Sequence, residues 1–228
     1  APSQFDWTPR MQAYLFDFDG TLVDSAPDLT RALDIALARA GLPGVGLEAG
    51  KRMVGHGAGK LVERALRQTT GDPMITMDSP LAKLLLSVFM EVYEPICAEH
   101  SILYPGALET LQTLKARGHR LGLVTNKPRR FVNLMLPVYG IEPLFDTVVA
   151  GDDLPTKKPD PAMVYQALAE LEVAPSDACL VGDSIADLGA AKNSGVQSIL
   201  VTFGYHGDLD VRHAGAERVI EALPELLT

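Results

Sequence analysis

An alternation of apolar runs with helical segments fills the second half of the chain and is the feature that most limits its fold. The apolar runs have strand length, and each one follows a segment with helical spacing. The predicted strands are 121–125, 147–150, 179–183 and 198–202, and the helices before them are 107–117, 129–139, 161–171 and 185–193. Strands that alternate with helices form a doubly wound, mostly parallel sheet with right-handed crossovers. The pattern therefore predicts an α/β fold.

One further apolar run, 13–16, predicts a first strand well before this region. The long stretch between them has only helical character, and Ser25 with Asp28 three residues later has the spacing of a capping box at a helix start. We therefore expect an insertion that covers the carboxyl edge of the sheet. The predicted division is an α/β catalytic core made of 1–23 and 104–228, and a helical cap, which determines substrate specificity, made of 24–103.

Two carboxylates one residue apart, Asp17 and Asp19, follow the first predicted strand and precede Gly20 and Thr21. Acidic pairs at a strand end repel each other unless a cation or a phosphate-handling role requires them. An Asx-type turn is the simpler alternative, since Asp-Gly is common in turns. A calcium loop does not fit, because its glycine stands at position 6 and Gly20 falls at position 4 when Asp17 is position 1.

Polar residues also stand at the ends of later predicted strands, where a doubly wound sheet places its ligands. They are Thr125 and Asn126, Asp183 with Ser184 and Asp187, and Lys158 in the segment Lys157-Lys158-Pro159. Together with the acidic pair they would form a phosphate and Mg²⁺ site, because Mg²⁺ prefers oxygen ligands. Four of them also have a structural alternative. Thr125 could end a strand and Asn126 could start a turn. Lys158 could be a solvated loop lysine, with Lys157 able to replace it, and Asp187 could form a capping box with Ser184.

In order and context these residues resemble the four motifs of the haloacid dehalogenase superfamily. The motifs are Asp17-Phe18-Asp19-Gly20-Thr21, Thr125, Lys158-Pro159, and Gly182-Asp183 with Asp187. Segments 20–27, 55–58, 123–128, 151–153 and 203–205 are further similar to the bacterial phosphoglycolate phosphatase family, which usually has Asn where His56 stands. The resemblance implies a Rossmann-like core with an inserted cap. It also implies a Mg²⁺-dependent phosphomonoester hydrolase, with 2-phosphoglycolate as the expected substrate.

The resemblance further implies a role for each residue. Asp17 would be the nucleophile that forms an aspartyl-phosphate, and Asp19 the general acid and then base. Lys158 would pair with the phosphate and Asp17. The phosphate oxygens would contact the Thr125 hydroxyl, the Asn126 amide and N–H groups near Gly20, and Mg²⁺ would be bound by Asp17, by the main-chain carbonyl of Asp19 and by Asp183, with Asp187 as an outer ligand or a helix cap.

A glycine-rich segment, 55–60, lies within the predicted cap. It is not a Walker loop, because the spacing of its glycines is wrong and Leu61 follows Lys60 where Ser or Thr is required. We expect a helix start that meets the organic end of the substrate. His56, Lys60 and Arg64 are then candidate contacts for a substrate carboxylate, and a solvated helix face is the alternative.

The composition narrows the possible partners. A net charge of −9 argues against a nucleic-acid or anionic-membrane partner. Two cysteines give no disulfide framework, and the five scattered histidines show no zinc-ligand spacing. No signal-peptide core or membrane span is evident, and residues 1–10 are expected to be a weakly ordered lead-in. The sequence thus predicts a cytoplasmic monomer or homodimer that acts on a small phosphorylated metabolite.

Other functions remain open on the residues alone. A phosphatase of a sugar or amino-sugar phosphate, or a phosphomutase, would share every core residue. A phosphonate hydrolase is disfavoured, because the phosphonate hydrolases of this superfamily resemble a pattern with Ala at the position of Asp19. A phospho-acceptor signalling domain also gathers acids, Thr and Lys-Pro at sheet ends, but it is about half as long and lacks a cap. A catalytically inactive interaction module is disfavoured by the complete set Asp17, Asp19, Lys158 and Asp183.

Overall fold

The computed structural model describes residues 11–228, so the lead-in predicted for residues 1–10 lies outside the described part. Its main sheet has six parallel strands in the order β5-β4-β1-β6-β7-β8. These strands are β1 (Ala13–Phe16), β4 (Arg120–Val124), β5 (Thr147–Val149), β6 (Ala178–Gly182), β7 (Gln197–Val201) and β8 (Arg218–Ile220). The predicted α/β fold with a parallel sheet is therefore confirmed, and β8 is a strand that the apolar pattern did not indicate.

The helices that cover the sheet begin and end within two residues of their predicted limits. They are α5 (Ala107–Ala116), α6 (Arg129–Val138), α7 (Ala162–Leu171) and α8 (Ile185–Ser194). Strand β1 lies in the middle of the sheet, and all four of its residues are buried. An apolar run with no polar alternation is what a strand covered on both faces requires.

The register of β1 decides which residues share the carboxyl edge. Phe16 pairs with Leu123 of β4 on one side and with Val181 of β6 on the other. Asp17 follows Phe16 directly, and Thr125 and Asp183 each come two residues after the partners of Phe16. Since all three strands are parallel, their next residues leave the sheet at the same edge.

The stretch between β1 and α5 contains four further helices. They are α1 (Ala26–Arg39), α2 (Gly46–Met53), α3 (Ala58–Thr70) and α4 (Pro80–Tyr93). A short antiparallel ribbon, β2 (Val23–Asp24) with β3 (Ile102–Leu103), joins the two ends of this stretch. The sequence pattern indicated no strand here, because strands of two residues show almost no periodicity. Within the described residues, none of the helices is long and apolar enough to cross a membrane.

Candidate active site

The turn after β1 brings the Asp17 carboxyl group to the edge of the sheet. The Asp17 N–H donates to Val181 O at 2.9 Å, and Asp17 Oδ1 accepts the Phe18 N–H at 2.6 Å. Gly20 has φ of +79°, and a Cβ there would lie 2.1 Å from Asp183 Oδ2, so this position requires glycine. The Gly20 N–H donates to Val23 O within the turn at 2.9 Å. The contribution of Gly20 in this geometry is thus close approach rather than a free N–H.

Three buried carboxylates converge on this edge. Asp17, Asp183 and Asp187 each offer an oxygen, and these oxygens lie within 4.8 Å of one another. Lys158 Nζ lies 2.6 Å from Asp187 Oδ1 and 3.3 Å from Asp17 Oδ1, and its side chain is 0% exposed. The neighbouring Lys157 is exposed. Lys158, rather than Lys157, is therefore the lysine that contacts the acidic cluster.

One lysine does not balance three buried acids. Burial, together with the charge of Asp187, raises the pKa of Asp17 to about 8 despite the attraction of Lys158. Burial and the charges of Asp17 and Asp187 also raise the pKa of Asp183 well above its usual range. For Asp187, burial opposes ionisation, but Lys158 and local hydrogen bonds outweigh it and lower the pKa. With all three acids ionised, the cluster would therefore carry more negative charge than Lys158 alone balances.

Asp187 has two structural roles at once. Its Oδ2 accepts the N–H groups of Ser184 and Asp183 at 3.2 and 2.9 Å, and the Asp187 N–H donates back to Ser184 Oγ at 3.4 Å. This is the capping box that the Ser184–Asp187 spacing indicated, at the start of α8. Its Oδ1 simultaneously accepts from Lys158. The same carboxylate therefore caps a helix and orients the lysine.

Asp19 is bound by two residues, Lys127 and Ser25, that the sequence analysis did not assign to the site. Lys127 Nζ donates to both carboxylate oxygens of Asp19, at 3.0 and 3.1 Å, and the Ser25 hydroxyl donates to Asp19 Oδ1. The capping box predicted from Ser25 to Asp28 was wrong, because Asp28 instead accepts the N–H of His100. The contact of Lys127 with Asp19 joins distant segments, and that of Ser25 depends on the turn between the two residues. The only signal in the sequence was that Lys127 directly follows Thr125 and Asn126, which were candidate site residues.

Thr125 and Asn126 leave β4 at the same edge. Thr125 is buried beside the cluster, and its Oγ1 accepts the Lys127 N–H at 3.1 Å. The Asn126 amide oxygen accepts the Lys158 N–H at 2.9 Å, while its amide nitrogen donates to Lys158 O at 3.0 Å and to Gly55 O at 3.1 Å. In this geometry Asn126 orients the Lys158 backbone and joins it to the inserted helices.

A cavity of about 40 Å³ lies over Asp17 and Asp19 and beneath the inserted helices. That space holds a few waters or a small organic group. Of the three residues proposed to contact a substrate carboxylate, none lines this cavity. His56 and Arg64 line a second cavity beside Ser184 and Tyr205, where Arg64 bonds to His56 Nδ1 at 3.1 Å. Lys60 is 55% exposed and pairs with Glu63.

The acidic cluster fits a divalent cation by its donor set. All of its ligand atoms are carboxylate oxygens, which suit Mg²⁺. Burial, with the charges of the neighbouring acids, raises the pKa of Asp17 and of Asp183, and a cation would favour the ionised form of both. Asp183 is already oriented for this, since its Oδ1 accepts from the Thr21 hydroxyl at 3.1 Å and its Oδ2 from the Tyr205 N–H at 2.7 Å.

Known proteins are similar to this chain over most of its length. The family model of haloacid dehalogenase-like hydrolases matches residues 14–201. A phosphoglycolate phosphatase of Pseudomonas putida is 41% identical over 219 residues, which are 96% of this chain and 79% of that protein. The crystal structure of a predicted phosphoglycolate phosphatase from Haemophilus somnus aligns with TM-score 0.90 and 31% identity, over 96% and 98% of the two chains. The structure of CbbY from Rhodobacter sphaeroides in complex with phosphate aligns with TM-score 0.79 and 29% identity, over 95% and 96%.

Proposed function

The chain belongs to the haloacid dehalogenase-like hydrolases and is a phosphatase of that family, and we propose that it hydrolyses 2-phosphoglycolate through an aspartyl-phosphate. The observation that carries this proposal is the convergence of Asp17, Asp183 and Lys158 on one buried edge with Asp19 beside them. The proposal keeps residues 1–23 and 104–228 as the catalytic core and 24–103 as the cap. The relatives named phosphoglycolate phosphatase support the choice of substrate.

In this mechanism Asp17 is the nucleophile. One of its oxygens attacks phosphorus in line, forming the bond to the enzyme while the bond to the leaving alcohol breaks. The Phe18 N–H and Lys158 both contact Asp17 Oδ1, so the carboxylate plane is fixed before the substrate arrives. Such preorganisation lowers the entropy that must be lost in the transition state.

Asp19 handles the protons. It gives one to the departing alcohol oxygen, and it takes one from the water that later cleaves the aspartyl-phosphate. The hydrolysis thus ends with free Asp17, inorganic phosphate and the alcohol. Ser25 and Lys127 contact the carboxylate of Asp19 and hold it next to the cavity over Asp17.

Lys158 and Asp187 form a buried ion pair next to the nucleophile. Lys158 lies against Asp17 on one side and Asp187 on the other, which favours an ionised nucleophile and places an ammonium group near phosphoryl oxygens. A bound Mg²⁺ would supply the remaining positive charge for the carboxylates and the phosphate. Asp17 and Asp183 would bind it, with the Asp19 carbonyl as a further ligand and Asp187 as an outer contact. The Thr125 hydroxyl would contact the phosphate.

A substrate screen tests the proposal. The kcat/KM for 2-phosphoglycolate is compared with those for sugar phosphates, amino-sugar phosphates and a simple aryl phosphate, in Mg²⁺. We expect 2-phosphoglycolate to be hydrolysed best, because the cavity next to Asp19 is small. Preference for a hexose phosphate, or transfer of the phosphoryl group between sugar hydroxyls, would instead establish the sugar phosphatase or phosphomutase.

The variant Asp17→Asn tests the chemistry separately from the substrate. It retains the size of the side chain but removes the nucleophile, so hydrolysis should fall by roughly 10² to 10⁴ or more. Asp152→Asn is a matched control, since Asp152 is an exposed carboxylate outside the cluster. Hydrolysis by Asp17→Asn at the normal rate would contradict the nucleophile assignment for every substrate in the screen.

A further inference from the structure

The cavity over Asp17 and Asp19 has a single positive side chain among the described residues that line it, Lys127. Its side chain is only 2% exposed, and its ammonium group lies 4.6 Å from the centre of the Tyr93 ring in α4. The ammonium group also donates to the Tyr93 hydroxyl at 2.6 Å. Much of the remaining wall is apolar and comes from Leu29, Val54, Leu61, Phe89 and Phe131. An anionic group that enters this space therefore has Lys127 as its one cationic partner there.

We propose that Lys127 binds the carboxylate of the substrate and is the residue that makes the enzyme prefer phosphate esters with a carboxylate next to the ester carbon. This inference rests on the proposed function, because it concerns the organic half of the proposed substrate. It replaces His56, Lys60 and Arg64 as the carboxylate contact, since none of these three lines the cavity.

The position of Lys127 relative to Asp19 is the first argument. Asp19 is the proposed proton donor to the ester oxygen, so that oxygen must lie within hydrogen-bond reach of Asp19 during the reaction. In 2-phosphoglycolate the carboxylate oxygens lie roughly 3 Å from the ester oxygen, across two carbon atoms. Lys127 Nζ lies 3.0 and 3.1 Å from the two Asp19 oxygens. When the ester oxygen is hydrogen-bonded to Asp19, the substrate carboxylate beside it is therefore within reach of the Lys127 ammonium group.

The hydrogen bonds of Lys127 give the second argument. An ammonium group has three donors. Two of the contacts of Lys127 go to the same carboxylate, that of Asp19, and the third goes to the Tyr93 hydroxyl. One donor can therefore turn to a substrate carboxylate while another stays on Asp19 and Tyr93 still holds the nitrogen. A phosphate ester without a carboxylate does not gain this hydrogen bond from Lys127.

The test compares two esters that differ in the carboxylate. The ratio of kcat/KM for 2-phosphoglycolate to kcat/KM for ethyl phosphate is measured for the wild type, Lys127→Met, Tyr93→Phe and Arg64→Met. Lys127→Met should lower this ratio by about 10- to 100-fold, because it removes a charged hydrogen bond to the carboxylate. Tyr93→Phe should lower it by about 3-fold, since it only removes the hydroxyl that positions the ammonium. Arg64→Met, the cation of the other cavity, should leave it unchanged.

Lys127→Met also removes a partner of Asp19, so it can slow both reactions together. Equilibrium binding of the two esters to Asp17→Asn, with and without Lys127→Met, then decides the matter without turnover. A binding preference for 2-phosphoglycolate that disappears with the lysine supports the proposal, and one that persists overturns it. Should Lys127→Met fail to fold, an unchanged ratio in Tyr93→Phe overturns the proposal.

The failure of the proposed function looks different. A wild type with equal kcat/KM for the two esters would refute both the 2-phosphoglycolate assignment and this role of Lys127. A wild type that prefers 2-phosphoglycolate, together with Lys127→Met that keeps the preference, would refute the role of Lys127 alone. A preference that is lost in Arg64→Met and kept in Lys127→Met would assign the carboxylate to the cap residue instead.

Discussion

Replacing Lys158 by Met tests how much its ion pairs with Asp17 and Asp187 stabilise the folded protein. The substitution keeps most of the side-chain volume and removes the ammonium group that lies 2.6 Å from Asp187 and 3.3 Å from Asp17. Removing one partner of a buried ion pair costs about 3–5 kcal/mol, because the other charge stays buried without compensation. The Lys158 side chain is 0% exposed, so solvent does not reduce this value.

The cost is large compared with the free energy of unfolding of an ordinary domain, about 5–15 kcal/mol. For a chain of this length it corresponds to a fall in Tm of about 6–20 °C. The assay is thermal unfolding followed by circular dichroism in a metal-free buffer. Lys157→Met is the matched control, because the adjacent Lys157 is exposed, and its Tm should change by less than about 2 °C.

The difference between Lys158→Met and the wild type should depend on pH. Without the ammonium group, only local hydrogen bonds still oppose the effect of burial at Asp187, and the pKa of its carboxyl group rises in the folded state. A folded-state pKa above the unfolded value stabilises the protein at low pH, and this stability is lost as the pH rises through the folded value. The two Tm values should therefore lie far apart at pH 8 and approach each other towards pH 5. A Tm of Lys158→Met within about 2 °C of wild type at pH 8 would refute this account of the cluster.

Three other predictions concern the same edge of the sheet. Burial and the charge of Asp187 raise the pKa of Asp17 to about 8, so the metal-free protein should lose stability as the pH rises from 5 to 8. Mg²⁺ should therefore raise Tm more at pH 8 than at pH 5. An equal increase in Tm at both pH values would contradict this prediction. Gly20→Ala should abolish activity and lower the free energy of unfolding by more than Gly41→Ala does. Both glycines have φ above +70°, but a Cβ would clash with Asp183 only at Gly20. Equal losses of unfolding free energy in the two variants would exclude the clash. Ser25→Ala should lower kcat by about 10-fold with little change in Tm, because it removes a hydrogen bond to Asp19. Ser25→Thr keeps a hydroxyl group at this position and should therefore retain part of the rate that Ser25→Ala loses.

Much of the core could be predicted from the sequence. Apolar runs of strand length and helices with 3.6-residue spacing are local properties, so the positions of β4, β5, β6 and β7 follow from the residues themselves. Parallel strands then place their carboxyl ends on one edge. On that basis Asp17, Thr125 and Asp183 could be predicted to share an edge, and the pairing of Phe16 with Leu123 and Val181 places them there.

The partners of those residues were decided only by the tertiary structure. Lys157 and Lys158 are equivalent in the sequence, but one is exposed and the other fully buried between two acids. Ser25 has the spacing of a helix cap and instead donates to Asp19, and Lys127 reaches Asp19 and Tyr93 from a different segment. Periodicity records which face of an element is buried. It does not record which side chains of distant segments meet there, because that depends on how the inserted helices pack over the sheet.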